Sequence, residues 1–342
     1  MPTPAQSPRR TADPVLLLTR EDVAKLLTIE DCIVAVEHAF RFYGEGTVPP
    51  PGILGTHVEH GGFHIKAGVM PFEGRLFYAA KTNANFPNNP TRHALPTIQG
   101  VVLLFDAERG TPLAILDSIE ITSLRTGAAT AVAAKYLARK DSKVATVIGC
   151  GTQGRVQTAA LLAVLGLDTV YAYDVDADRS AALVAEMQAK KPSVRFEAVT
   201  DFAEAARKSD VVVTCTTATK PFLLSEHVRR GTFVAAVGAD NEDKQELDAR
   251  LLVANRVVPD VTQQAATIGE VHHALESGLM KIEDVMVDLG QIVSGRQPGR
   301  KSDDEIIIFD STGMGLQDVA AACAVYRKAK DAPHVNRITL NT

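Results

Sequence analysis

Hydrophobic and polar positions follow three different rhythms along this chain. Residues 19–27 and 28–43 keep a helical spacing, with Ile29, Ile33, Val36, Ala39 and Phe40 forming one apolar stripe. Each stretch opens at a threonine able to cap a helix, and Asp31 stands where a capping box needs its acid. Gly44 and Gly46 end the second helix, and Thr47-Val48-Pro49-Pro50-Pro51-Gly52 must be extended or looped. From His57 to about Leu116 the period moves towards two. Strands are predicted over 63–68, 76–82, 98–105 and 112–116. Strands in succession, with no helices between them, predict a mixed or antiparallel sheet. Residues 118–136 read as a helix rich in small side chains. From Lys143 onward strands and helices alternate, with strands at 144–148, 169–173, 194–198, 211–214, 233–237, 256–259 and 306–309 and a last helix at 316–328. That third rhythm predicts a doubly wound α/β sheet. No repeat of solenoid period is present.

Composition narrows the class. A chain of 342 residues, 46% hydrophobic and 23% charged, suits a soluble globular protein of two domains. A net charge of −5 gives no reason to expect nucleic acid or an anionic membrane as partner. No apolar run approaches the roughly 20 residues of a membrane span. Residues 1–14 are polar and proline-bearing and are expected to be a disordered tail. Arg9-Arg10 lacks the apolar segment of an export signal, so the cytoplasm is the expected compartment. Cys32, Cys150, Cys215 and Cys323 lack metal-like spacing; Cys150 and Cys215 read as small core residues.

The chemistry centres on VATVIGCGTQGRVQ, residues 144–157. A run of small and β-branched residues ends in Gly149-Cys150-Gly151-Thr152-Gln153-Gly154, and a helical pattern follows at once. This strand, G-x-G-x-x-G turn and helix are what a dinucleotide pyrophosphate needs. Gly149 permits the turn, Gly151 the approach of phosphate, and Gly154 the packing of helix on strand. The next strand ends at Asp174, at the distance where an acid bonds the adenosine ribose. A carboxylate there repels a 2′-phosphate, which favours NAD over NADP, although Arg179 stands within reach. The plainer reading of Asp174 is a solvated acid in a turn.

With these motifs in view, the chain resembles the ornithine cyclodeaminase/mu-crystallin family, which includes archaeal-type alanine dehydrogenases and imine reductases. The carriers are Met70-Pro71, Lys81 with Asn85-Phe86-Pro87 and Asn89, Leu95-Pro96-Thr97 and Leu104-Phe105-Asp106. They continue through residues 121–128 (ITSLRTGA), 134–138 (AKYLA), the glycine turn, Val237-Gly238-Ala239-Asp240, Lys244-Gln245-Glu246-Leu247-Asp248 and Phe309-Asp310-Ser311-Thr312-Gly313. The resemblance implies a Rossmann domain over 126–312. It also implies a discontinuous α+β substrate and dimerisation domain over 15–125, completed by 313–342, in a homodimer.

The resemblance implies hydride transfer between nicotinamide and the Cα of a small amino acid or its imine. Arg125 matches the family arginine that holds a carboxylate beside the cofactor; its plainer reading is a helix arginine paired with Glu120. Lys81 matches the active-site lysine; its plainer reading is a surface lysine on an edge strand. Asp240 matches the catalytic aspartate; its plainer reading is a turn cap. Thr312 matches a substrate contact and Lys244 a cofactor contact. Thr97, Thr152, Gln153, Thr216, Ala236, Val237 and Ser311 match nicotinamide-nucleotide contacts, and the polar ones have capping roles as alternatives.

Two departures matter. The family's arginine near residues 47–52 is replaced by Pro-Pro-Pro-Gly, and Lys66 is the candidate substitute. The glutamate that receives a distal amine in cyclodeaminases is Gly68 here, which argues for a shorter amino or imino acid than ornithine. His272 and His273 suggest a metal, but adjacent helix residues face apart and no third ligand is apparent in the sequence. The alternatives to a dehydrogenase or imine reductase are a cyclodeaminase with bound NAD and a non-catalytic mu-crystallin-like binder.

Overall fold

The computed structural model describes residues 14–340, so the tail expected over 1–14 lies, apart from Pro14, outside the described residues. Elements follow in chain order as β1 (Val15–Leu18), α1 (Arg20–Leu26), α2 (Ile29–Glu45), β2 (Gly52–Val58), β3 (Gly61–Phe72), β4 (Arg75–Asn85), α3 (Asn89–His93), β5 (Ile98–Asp106), β6 (Thr111–Asp117) and α4 (Ser118–Leu137). The second half runs β7 (Val144–Ile148), α5 (Thr152–Val164), β8 (Thr169–Tyr173), α6 (Ala177–Lys190), β9 (Arg195–Ala198), α7 (Phe202–Lys208), β10 (Val211–Thr214), β11 (Thr219–Leu223), β12 (Phe233–Ala236) and β13 (Gln245–Leu247). It ends with α8 (Ala249–Val253), β14 (Arg256–Pro259), α9 (Thr262–Ile268), α10 (Glu270–Glu276), α11 (Leu289–Val293), β15 (Ile307–Asp310), α12 (Gly315–Ala329) and β16 (Asn336–Ile338).

The first two helices start where their threonines predict. Thr19 and Thr28 each accept a backbone N–H, and Asp22 and Asp31 each answer back to close a capping box. The first sheet is mixed, in the order β16-β1-β6-β5-β4-β3-β2, with β1 parallel to β6. It is larger than the sequence pattern predicts. Every residue of β2 is exposed, so no apolar side marks it by alternation. β1 is a four-residue apolar run, too short to reveal a period. β3 and β4 outrun their predicted ends because Glu73 and Gly74 both take positive φ (49° and 76°), the conformation of a two-residue hairpin turn.

The second sheet is wholly parallel, in the order β14-β15-β12-β10-β7-β8-β9. Its winding reverses between β7 and β10, and such a reversal opens a crevice at the strand ends. A further parallel pair, β11 with β13, lies outside both sheets and went unpredicted. The architecture is therefore α/β, a doubly wound Rossmann sheet beside a mixed-sheet unit. One apolar core runs through both: residues of α2, α4 and α12 join side chains from β4, β5, β7 and β15.

The two units meet closely where α2 crosses α11. A Cβ built on Gly44 would lie 1.9 Å from the carbonyl oxygen of Gly290. Gly44→Ala is therefore expected to lose about 1–3 kcal/mol of stability, the usual penalty of overpacking. Urea unfolding checks this; an unchanged midpoint would contradict the close crossing.

Candidate active site

The glycine turn follows β7 at the point of reversal. Gly149 takes φ +101°, and a Cβ there would sit 2.7 Å from the carbonyl oxygen of Cys215 after β10. A Cβ on Gly154 would meet the Gly149 carbonyl at 2.1 Å, so α5 starts hard against the turn. Above Gly151 the space is open, with nothing within 4 Å of a built Cβ. Gly151 caps α5 with no side-chain bond, which leaves the first N–H groups of a 13-residue helix free for an anion. Thr152 and Gln153 form that first turn; the Gln153 side-chain carbonyl accepts from Gln157 at 3.2 Å. At the end of β8, Asp174 accepts the Cys150 N–H at 2.7 Å and the Asp176 N–H at 3.0 Å. Arg179 is paired with Asp176 at 3.3 Å. These features fit a dinucleotide.

Other cofactor candidates divide. Ala236 and Val237 are buried at the end of β12. Ser311 follows β15, buried, with a hydroxyl that has no partner among the described residues. Thr216 is committed elsewhere, since its N–H and hydroxyl both donate to Glu246, at 2.6 and 2.7 Å. Thr97 immediately precedes β5 of the first sheet, and its carbonyl accepts the Phe86 N–H at 2.8 Å. Lys244 pairs with Asp240 at 2.7 Å.

Three cations gather where the first sheet faces this crevice. Lys81 lies on β4, between β3 and β5, and is 3% exposed, so it is no edge-strand lysine. Its ammonium donates to Asp318 Oδ1 at 2.8 Å. Arg125 on α4 donates through Nε to the same oxygen at 3.1 Å and through Nη1 to the Gln317 side-chain carbonyl at 3.0 Å. Lys66, directly opposite Lys81 in the β3–β4 register, donates to the backbone carbonyls of Thr312 and Gly313, each at 2.8 Å. Gly313 takes φ +84°, and a Cβ there would lie 2.5 Å from Arg125 Nη1. The turn after β15 therefore touches both Lys66 and Arg125. The Thr312 hydroxyl donates to Asp260 at 2.6 Å.

Asp318 and Gln317 were not found from the sequence. Their signal was a single charged residue within the otherwise uncharged stretch 315–325, a position where a charge is retained only with partners. Burial pushes the Asp318 carboxyl up, but Lys81 and Arg125 more than offset it and the net shift is downward. Burial, then the charge of Arg125, pulls the Lys81 ammonium down to about 7 against the opposing pull of Asp318. Lys66 is also lowered, by burial and then by Arg125. Asp240, on the exposed loop after β12, is near enough for its charge to act on Lys66 and His64.

Behind the crevice stands a row of buried acids. Glu246 takes the Thr214 and Thr216 hydroxyls and the N–H groups of Thr216 and Gly238, tying the loops after β10 and β12. Glu270 takes the N–H groups of Glu246 and Leu247. Asp310 takes that of Val271, and burial pushes its carboxyl up to about 7. His272 and His273 do not face apart as expected. Their rings lie 5.2 Å apart, and Glu276 comes within 4.8 Å as a third group, but His273 Nε2 is already bonded to the Lys244 carbonyl at 2.8 Å. Cys150 and Cys215 are raised by burial, as inert core thiols are.

Asp318→Asn would leave two buried cations without their anion, and a stability loss of about 3–5 kcal/mol is expected. Asp318 is what raises the Lys81 value, so its removal lowers that value further. The ionisation of Lys81 is therefore expected at lower pH in the kcat/KM profile of the variant than in that of the wild type. An unshifted profile in the folded variant would contradict the pairing.

Both the sequence and the fold have known relatives. The model of the ornithine cyclodeaminase/mu-crystallin family matches residues 14–332. The alanine dehydrogenase of Archaeoglobus fulgidus is 40% identical over 314 residues, covering 92% of this chain and 95% of that one. A solved archaeal alanine dehydrogenase dimer with bound NAD superposes with a TM-score of 0.90 at 38% identity, over 96% of this chain and all of that one. The Thermococcus litoralis Δ1-pyrroline-2-carboxylate reductase, solved with NADH and L-proline, gives 0.88 at 31% identity, over 95% of this chain and 100% of that one. With its two sheets, its glycine turn and the matched motifs, this chain belongs to the ornithine cyclodeaminase/mu-crystallin family.

Proposed function

We propose that this protein is an NAD-dependent oxidoreductase of a small α-amino acid or its imine. The carrying observation is one of charge. Lys66, Lys81 and Arg125 converge, largely buried, yet among the described residues Asp318 is the one carboxylate hydrogen-bonded to any of them. A carboxylate-bearing substrate answers the remaining positive charge. Arg125 and Lys81 would grip it and fix which face of Cα meets the cofactor. Asp240 would hold or take a proton of the substrate nitrogen, or activate the water that hydrolyses an imine. When bound, NAD supplies the hydride acceptor, and NADH the donor.

The substrate is short in this reading. A Cβ on Gly68, next to Lys66 on the same side of β3, would lie 2.7 Å from Leu316 Cδ2, so an apolar side chain fills the neighbouring space. No acid stands at position 68 to receive a distal ammonium. The relatives named for alanine and for pyrroline-2-carboxylate fit that class. The Asp174 carboxylate supports NAD over NADP. Ile53, Leu54, Val58, Phe63 and Val101 leave large apolar side chains exposed on the first sheet. We infer that a second copy packs there, as the archaeal relative is a dimer.

Incubation with NAD and a panel of small L-amino acids is expected to give sustained NADH formation. Ammonia without NADH would mean a cyclodeaminase, and tight NAD binding with neither product a binding protein. Asp240→Asn and Lys81→Met are each expected to lower kcat/KM about a hundredfold or more; full turnover by either removes it from the mechanism. Asp174→Ser should narrow the preference for NAD over NADP about tenfold, read from the two KM values, and an unchanged ratio would exclude Asp174 from ribose recognition.

A further inference from the structure

We propose that Asp260 is a positioning residue for the substrate's carboxylate clamp, acting through the turn Thr312–Gly313. The inference rests on the oxidoreductase reading above and adds a residue that touches no substrate in it.

Asp260 directly follows β14, next to β15 in the Rossmann sheet, and is fully buried. Its backbone N–H donates to the Asp310 carbonyl at 3.0 Å, which locks its place against β15. Its carboxylate takes three donors. Oδ1 accepts the Thr312 hydroxyl at 2.6 Å and the Val261 N–H at 2.9 Å; Oδ2 accepts the Gly313 N–H at 2.6 Å. Bonds this short to an ionised acceptor are among the stronger hydrogen bonds a protein makes.

The opposite side of the same turn faces the clamp. The carbonyls of Thr312 and Gly313 accept the Lys66 ammonium. A line therefore runs from the Asp260 carboxylate, through the peptide joining Thr312 to Gly313, to a buried cation. The N–H end of that peptide meets the negative charge and its C=O end the positive one, so each bond polarises the next. Gln264 braces the turn from the side, its Nε2 donating to the Thr312 hydroxyl oxygen and the Gly313 carbonyl, each at 2.9 Å. Gly313 is also the surface on which the Arg125 guanidinium rests, with no room for a Cβ between them. One buried carboxylate thus fixes the support of two of the three cations. A displacement of that support by about half an ångström is enough to spoil a preorganised site.

Asp260→Asn tests this with little change in shape. Asn keeps one accepting oxygen but turns an amide N–H₂ towards a second donor, the Gly313 N–H or the Thr312 hydroxyl. The readout is the affinity of the NADH-bound protein for pyruvate, followed by NADH fluorescence, beside the affinity for NADH itself. Asp260→Asn is expected to weaken pyruvate binding about tenfold or more while NADH binding stays within about threefold. Thr312→Val removes the hydroxyl's bonds to Asp260 and from Gln264 but keeps the Gly313 link to Asp260, so it should weaken pyruvate binding in the same direction by about two- to fivefold. Unchanged pyruvate affinity in folded Asp260→Asn overturns the proposal, and so does an equal loss for pyruvate and NADH, which is what a merely structural role gives. Should Asp260→Asn fail to fold, Thr312→Val decides alone, and no loss of pyruvate affinity overturns the proposal. Wild-type protein that binds NADH but neither pyruvate nor other small 2-oxo acids would instead overturn the functional reading, and the role of Asp260 with it.

Discussion

An ammonium and a guanidinium cannot remain charged side by side in a protein interior without an anion between them. Asp318 is that anion, with one oxygen accepting from both Lys81 and Arg125. Removing such groups from water costs several kcal/mol per ion, and only close charge-assisted bonds offset it. The arrangement is only partly satisfied: among the described residues the second Asp318 oxygen and the Gln317 amide nitrogen are buried without partners. Buried polar atoms without partners at a charged cluster call for an explanation, and a catalytic role is one of them. Lys66 adds a third cation that, among the described residues, is hydrogen-bonded by neutral carbonyls alone.

The fold brings these groups together from distant parts of the chain. Lys66 and Lys81 come from neighbouring strands of the mixed sheet, Arg125 from the helix leaving it, and Asp318 from the helix that returns after the Rossmann sheet. The turn that links them closes the strand β15, two strands from the point where β10 and β7 part. Glu246 staples the ends of β10 and β12, and Asp260 those of β14 and β15, so the rim of the crevice is held by hydrogen bonds rather than by side-chain packing alone. Such a rim keeps its shape while a ligand enters, which suits a reaction dependent on the face presented to nicotinamide.

Much of this frame was legible from local pattern. Capped helices, alternating strands and the glycine turn each declare themselves within a few residues, because capping, pleat and positive φ are local constraints. β2 did not, since a strand exposed along its whole length has no period. Arg125 and Lys81 carried a recognisable motif context. Their partner did not: Asp318 lies 237 residues from Lys81 and 193 from Arg125, and pairing over that distance leaves no local trace. Asp260 was silent for the same reason, being one acid at the end of an apolar strand until the turn at Thr312 folds against it. What sequence did offer was the oddity of a lone charge among small apolar residues in the last helix.

The most direct test of the account is a crystal structure of the protein with NADH and a small 2-oxo acid. The ligand's carboxylate is expected within about 2.7–3.2 Å of both Arg125 and Lys81, with its C2 carbon facing the nicotinamide ring beside Asp240. A ligand bound away from these cations, or a nicotinamide ring turned away from them, would contradict it.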